Sequence, residues 1–378
     1  MTEEIIVHGA EWTIKELFVY PNEFIYWSIQ IVMYPYMTGL VAGAFVLSSL
    51  YHVFGQKDLK EIAEFSLVFS LALLPVAALP LLLHLQQPLR AMEPLLTPHF
   101  TSAIAAFGIV FTTYALIVIS EIWFVYREYF VYQLEALEGE PGFWNAQRRI
   151  AYRMLTFGAR DVSEDAIKVD HKAAKILAGI GIPVACFLHG YAGFIFGSVK
   201  ANALWMSPLM PVIFIMSAVV SGIALCMLTY IVIMEWTAFR RRKGDDRVSA
   251  VEIKGVEHDV IDQATKYLLG FLVAAITLEL LDLIFRGYTA MKSWDILREA
   301  MFVNDFTKIF VLQYTLGNLV PLLLLLLPGR TIKRTVLALL LVLFGVFMMR
   351  WNVVIGGQAF SLSFDGFMHY HIPVIPHS

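Results

Sequence analysis

The sequence predicts an all-α integral membrane protein, with about eight transmembrane helices in two halves that each resemble a four-helix bundle. Three observations lead there. Of 378 residues, 58% are hydrophobic and 16% charged, against roughly 25% charged in an average soluble domain. A water-soluble fold could not hide so much apolar side chain, because its surface needs charge. The apolar residues also fall into eight runs, each long enough for a helix to cross a hydrocarbon core, which takes roughly 20 residues. Finally, these runs are continuous, whereas the strands of a membrane barrel alternate polar and apolar positions.

The runs cover 27–54, 62–85, 101–126, 171–195, 208–235, 266–286, 304–327 and 331–353. They form a transmembrane domain over 27–353, between an N-terminal segment 1–26 and a C-terminal tail 354–378. Pro35, Pro75, Pro80, Pro183, Pro211 and Pro321 lie inside runs, which is tolerable where neighbouring helices satisfy the freed carbonyls. The spacings Gly39-Leu-Val-Ala-Gly43 and Gly179-Ile-Gly181 let helix backbones approach closely. Residues 1–23 have no basic region and no cleavable apolar stretch, so no ordinary signal peptide is expected. Twenty of the 28 Lys and Arg fall on one side of these crossings. That side should be cytoplasmic, with both termini extracytoplasmic.

A net charge of -3 leaves no basic footprint for nucleic acid. Cys186 and Cys226 both lie inside apolar runs, which excludes a disulfide framework, a zinc site and an iron–sulfur cluster carried by this chain.

On the outer face, two stretches are too polar to span and too apolar for free loops. One runs from His84 through Arg90 to His99, the other from Gly197 through Trp205 to Pro208. Lying along the interface, they would cap a lipid-accessible cleft. Such a cleft suits a lipophilic molecule with a polar head. A quinone head needs hydrogen-bond partners at both carbonyls and a group that exchanges protons, for which histidine serves near neutral pH. His84, Gln86, Arg90, His189 and Tyr191 supply those types, with Gln30 and Tyr34 from the first run. Capping of helix ends and anchoring to head groups explains the same residues without a ligand. Acids at membrane depth form a second group. Glu279 and Asp282 lie one turn apart and can face one interior side, and with Glu121 they are candidates for a proton route; an ion pair with Arg286 is the structural alternative.

At these residues the sequence resembles the NrfD/PsrC family, the membrane subunits of polysulfide-reductase-type and hydrogenase-type complexes. Three stretches carry the match: Tyr36-Met-Thr-Gly39-Leu-Val-Ala-Gly43; His84-Leu-Gln-Gln-Pro88-Leu-Arg90 through Ser102; and His189-Gly-Tyr191 through Trp205 to Gly222. The closing run Met349-Arg350-Trp351-Asn352 through Gln358 resembles longer members of the DsrP/HmeB type, which accompany dissimilatory sulfite reductase. Many family members have Asp-Leu-Gly-Arg-Pro where this chain has His84-Leu-Gln-Gln-Pro88, a departure that favours the sulfur-complex subgroup.

The resemblance implies a multi-pass subunit of a prokaryotic cytoplasmic membrane. It would exchange electrons between menaquinone and an extracytoplasmic ferredoxin-like iron–sulfur subunit, in sulfur or sulfite metabolism. By position His189, Trp205, Pro88 and Arg90 match the family's motifs. A multihaem cytochrome c, and a second membrane subunit with a cytoplasmic iron–sulfur protein, are further implied partners beside the lipid bilayer. Haem b between His84 and His189 is the competing redox reading; a second in-helix pair is missing, so it is not expected. A secondary transporter and a purely structural anchor are the alternatives from other classes. A transporter would favour midplane charges and broken helices, and here the polar groups cluster at the outer edge. The inner connections at 127–170 and 237–262 read as solvated loops whose basic residues set topology or meet anionic lipid.

Overall fold

The computed structural model describes residues 5–7, 10–12, 27–85, 87–99, 103–242, 258–288, 294–360 and 369–370. Strands β1 (Ile5–Val7) and β2 (Ala10–Trp12) pair antiparallel, and β2 pairs with β3 (His369–Tyr370). That pairing brings both ends of the chain to one side, as an even number of crossings requires. Gln86, most of segment 1–26, residues 243–257 and most of the tail lie outside the described residues.

Ser28 opens the first long helix, α1 (Ile29–His52), by accepting the Gln30 N–H. After it come α2 (Lys60–His84), α3 (Ala103–Ala136), α4 (Phe143–Leu155), α5 (Glu164–Gly197), α6 (Met210–Arg242), α7 (His258–Tyr288), α8 (Thr307–Leu326) and α9 (Ile332–Trp351). Among the described residues eight helices are long and apolar enough to cross a membrane, one for each expected run. The exception is α4. The chain is therefore a multi-pass, all-α membrane protein, with the small sheet as an addition outside its spans.

On the basic side, α3, α5, α6 and α7 continue beyond the hydropathic boundaries. A charged residue marks where lipid ends, and Glu, Lys, Arg and Gln propagate a helix well in water. Arg127 and Asp170 join two of these extensions: Arg127 Nη2 lies 2.6 Å from Asp170 Oδ2, and both side chains are buried. Arg127 Nη1 also donates to the Asp161 carbonyl at 2.6 Å.

One apolar core is shared by α1, α2, α3 and α5, and another by α6, α7, α8 and α9 together with α1 and the start of α2. Helices α1 and α6 are central, each with 67% of its apolar window buried, whereas α7 has 17% and faces outward. The two central helices cross where Gly43 meets Gly222; a Cβ on Gly43 would run into the Ala218 carbonyl oxygen. No larger residue fits that crossing. Gly39 packs under the His189 ring and Gly181 under Phe45, while Gly179 has nothing within 4 Å. Helix α8 winds in the wide π form over Thr307–Leu319, with the Val320 N–H reaching back to Thr315. Its Gly317 lies against Gly345 of α9.

Candidate functional site

Past His84 the chain cannot continue α2, because Pro88 and Pro94 each start a new short turn. The turns Pro88–Met92 and Glu93–Leu96 fold back over the N-terminal end of α3, where Leu95 rests on Gly108. Arg90 holds this cap together. Its Nε donates to Glu93 Oε1 at 2.7 Å and its Nη1 to Gln87 Oε1 at 3.0 Å. The hydrogen bond between them draws the Glu93 carboxyl below its ordinary range and raises Arg90.

Beneath the cap lies a cavity of about 1050 Å³, at the upper end of the roughly 300–1,000 Å³ typical of ligand sites. Tyr34, Leu81, Leu85, Phe107 and Phe111 form much of its apolar wall, and Gln87, Arg90, Glu93, Thr97 and His99 bring polar atoms to the cap side. Tyr34 meets the Phe107 ring edge-on at 5.5 Å. Tyr191 stacks on Phe107 from behind at 6.1 Å, and its buried hydroxyl has no hydrogen-bond partner among the described residues. Gln30 lies one helical turn before Tyr34 on α1.

Of the sequence candidates, Tyr34 and Arg90 line this cavity, and Tyr191 and Gln30 stand beside them. His84 is the last residue of α2 and does not line it. His189 is buried deeper: its Nε2 lies 3.0 Å from Arg350 Nη2, and its ring stacks on Phe214 at 5.9 Å. The other ring nitrogen, Nδ1, is buried and has no hydrogen-bond partner among the described residues. Trp205 is part of the apolar packing. Its indole N–H donates to the Val353 carbonyl at 2.6 Å, and it stacks on Trp27 at 5.5 Å.

Glu279 and Asp282 line a second cavity, of about 100 Å³, among α6, α7, α8 and α9. Gln313 Nε2 donates to Glu279 Oε2 at 3.0 Å, and Asn352 Nδ2 donates to Gln313 Oε1 at 2.8 Å. Asp282 accepts from Ser207 Oγ at 2.5 Å and from Arg286 Nε at 2.8 Å. The expected ion pair with Arg286 is therefore made by Asp282, and Glu279 bonds an amide. The wide winding of α8 carries Gln313 here, consistent with the frequent placement of such turns at polar sites.

Glu121 is not part of this group. It is buried at the opposite end of the bundle, 3.7 Å from His52 Nδ1, and neither of its oxygens meets a hydrogen-bond donor among the described residues.

Sequence reasoning assigned no role to Gln87, Glu93, Phe107, Gln313 or Arg350. The signal for Arg350 was present, since a charge inside an apolar run is costly and demands a partner. The others carry no mark that separates them from ordinary interface or core residues.

A family model described as polysulphide reductase, NrfD, matches residues 20–362. A selenate reductase subunit of Mesobacillus selenatarsenatis is 33% identical over 204 residues, which is 54% of this chain and 47% of that protein. A Halobacterium salinarum protein, whose name proposes it as a membrane subunit of a dimethyl sulfoxide reductase, is 27% identical over 222 residues, 58% of this chain and 46% of that one. The matched segment spans about half the length of these curated relatives. With its eight apolar helices and a family match over nearly the whole chain, this protein belongs to the NrfD family of polysulphide reductase membrane proteins.

Proposed function

We propose that the chain is the quinone-binding membrane subunit of a multi-subunit oxidoreductase. The observation that carries this reading is the capped cavity, apolar and aromatic along its walls and polar at one end. A menaquinone ring system would lie along the wall that Phe107 and Phe111 form, with its isoprenoid tail toward the bilayer. Tyr34 and Arg90 reach the head group directly. Tyr191 and Gln30 back them, His84 stands at the end of α2, and His189 and Trp205 hold the packing behind. Oxidation of one quinol releases two electrons and two protons. The electrons pass to an iron–sulfur subunit on the outer face, since this chain has two cysteines, both inside spans. The relatives named as subunits of reductases support a place in such a complex, and the motif at His84 favours a sulfur compound as its terminal substrate. A multihaem cytochrome c and a second membrane subunit with its cytoplasmic iron–sulfur protein complete the proposed assembly.

Arg90→Ala tests the site. Losing a charge-assisted hydrogen bond to the head group costs about 1.5–3 kcal/mol, so the KM for menaquinol in the intact complex should rise at least about tenfold. An unchanged KM in an assembled complex ends the assignment. We assign proton exchange to the Glu279–Asp282 cavity, with Glu121 as a separate site on the inner half. Glu279→Gln should then slow proton release during quinol turnover, measured with a pH dye in vesicles; unchanged turnover and unchanged release dispose of it.

A further inference from the structure

The capped cavity has a side as well as a top. Ala78 and Leu82 of α2 and Gly108 and Thr112 of α3 are all part of its lining, and the same two helices carry an exposed outward face. At about 100° per residue, Thr112 falls between Leu116 and Ile119, which are 61% and 50% exposed and do not line the cavity. Thr112 is itself exposed. On α2, Leu79 lies about 60° round from Leu82, is 48% exposed and does not line the cavity either. The cavity wall thus runs onto the outward faces of both helices, and the cleft between them opens sideways.

Contacts above and below frame this opening. Toward the start of α2, Leu74 and Ala77 share one apolar core with Tyr114 and Val118 of α3. At the other end the cap closes over α3: a Cβ on Gly108 would first meet Leu95, at 3.5 Å. Between these contacts the small residues Ala78 and Gly108 leave a gap. Ala78 lies about 9 Å before the end of α2 at His84, and Thr112 about 14 Å after the start of α3 at Ala103. Both positions fall inside apolar spans, so hydrocarbon and not water meets the mouth. Its hydroxyls are satisfied within the helix: Thr112 Oγ1 donates to the Gly108 carbonyl and Thr113 Oγ1 to the Ile109 carbonyl, both at 2.8 Å. Gln87, Arg90 and Glu93 stand at the cap instead.

A polar end under the cap and an apolar mouth in the bilayer suit a molecule with a polar ring and a long hydrocarbon chain. We propose, on the quinone reading above, that the cleft between α2 and α3 is a lateral portal: the ring enters the cavity from the bilayer between Leu82 and Thr112, and the chain stays in the mouth once the ring lies at the cap. The portal selects for the chain, because a chain held between two helices adds binding in proportion to the apolar area it buries.

The test compares menaquinol with menadiol, the same ring without its chain, as electron donors to the intact complex in vesicles. Thr112→Trp and Leu82→Trp each narrow the mouth. Each should lower kcat/KM for menaquinol at least about tenfold and change that for menadiol less than about twofold, a loss of chain passage and not of ring binding. A disturbed fold would lower both alike, and thermal stability, measured alongside, should match the parent's. In the native membrane, the photo-crosslinker p-benzoylphenylalanine at position 112 should attach to the chain of menaquinone. Unchanged kcat/KM for menaquinol, an equal loss for both quinols, or labelling of phospholipid alone overturns the portal. Arg90→Ala keeps the two readings apart, since it acts on the ring and should raise the KM for both quinols whatever the portal variants do.

Discussion

Arg350 is buried within α9, and its guanidinium is shared among His189 Nε2, Ser217 Oγ at 2.7 Å and the Phe214 carbonyl at 3.2 Å. It also lies 3.8 Å from the centre of the Phe214 ring, a cation–π contact that gains strength where water is excluded. One side chain thereby ties α5, α6 and α9 together. Arg350→Ala should destabilise the protein by about 2–4 kcal/mol, through the cavity left and the acceptors orphaned. Unfolding of the purified variant in detergent checks this, and a loss below about 1 kcal/mol refutes it. From the sequence, Arg350 is legible as a buried charge with a partner somewhere. Which partner is not, because His189 lies 161 residues earlier and its placement depends on how two helices rotate against each other. The same reason explains why His84 and His189, read together at one membrane level, separate in the fold.

Among the elements, the cap over the larger cavity is held by local contacts. The Pro88–Leu96 stretch was legible as interfacial, since its prolines forbid a long helix and its composition forbids a free loop. Its pH response follows from Glu93. The folded carboxyl titrates below its ordinary value of about 4.3, because Arg90 hydrogen-bonds the charged form. A lowered value contributes stability above the unfolded pKa and loses it as pH falls through the folded one. Hydrogen exchange across 88–96, corrected for intrinsic rates, should show a cap that is closed at neutral pH and opens only in acid, where Glu93 is protonated. In Glu93→Gln that acid-linked opening should vanish. By contrast, the π winding of α8 had no local signal. It depends on Gly317 meeting Gly345 and on the polar contacts of Gln313, both set by other helices.

At the scale of the whole molecule, two apolar cores meet along α1, with the capped cavity beside the first and the Glu279–Asp282 cavity among α6, α7, α8 and α9. The Lys/Arg asymmetry predicts that the connection between α3 and α5 faces the cytoplasm and the 197–208 stretch faces outward. A membrane-impermeant maleimide should therefore label Lys200→Cys in intact cells, and Glu135→Cys only after permeabilisation; the reverse pattern inverts the orientation. Hydropathy made the eight crossings readable because each residue's transfer into lipid depends little on its neighbours, and motif order made the family readable for the same local reason. The residues that share a cavity depend on contacts far apart in the chain, as when Gln358 and Trp27, 331 positions apart, exchange hydrogen bonds at 2.9 and 3.0 Å. The number and chemistry of the membrane crossings were thus determined by the sequence alone, whereas the helical extensions of α3, α5, α6 and α7 and the helix α4 were not. Tertiary packing decided that Tyr34 and Arg90 line one cavity, Glu279 and Asp282 another, and His189 neither, because the rotation of each helix is set by the helices it packs against.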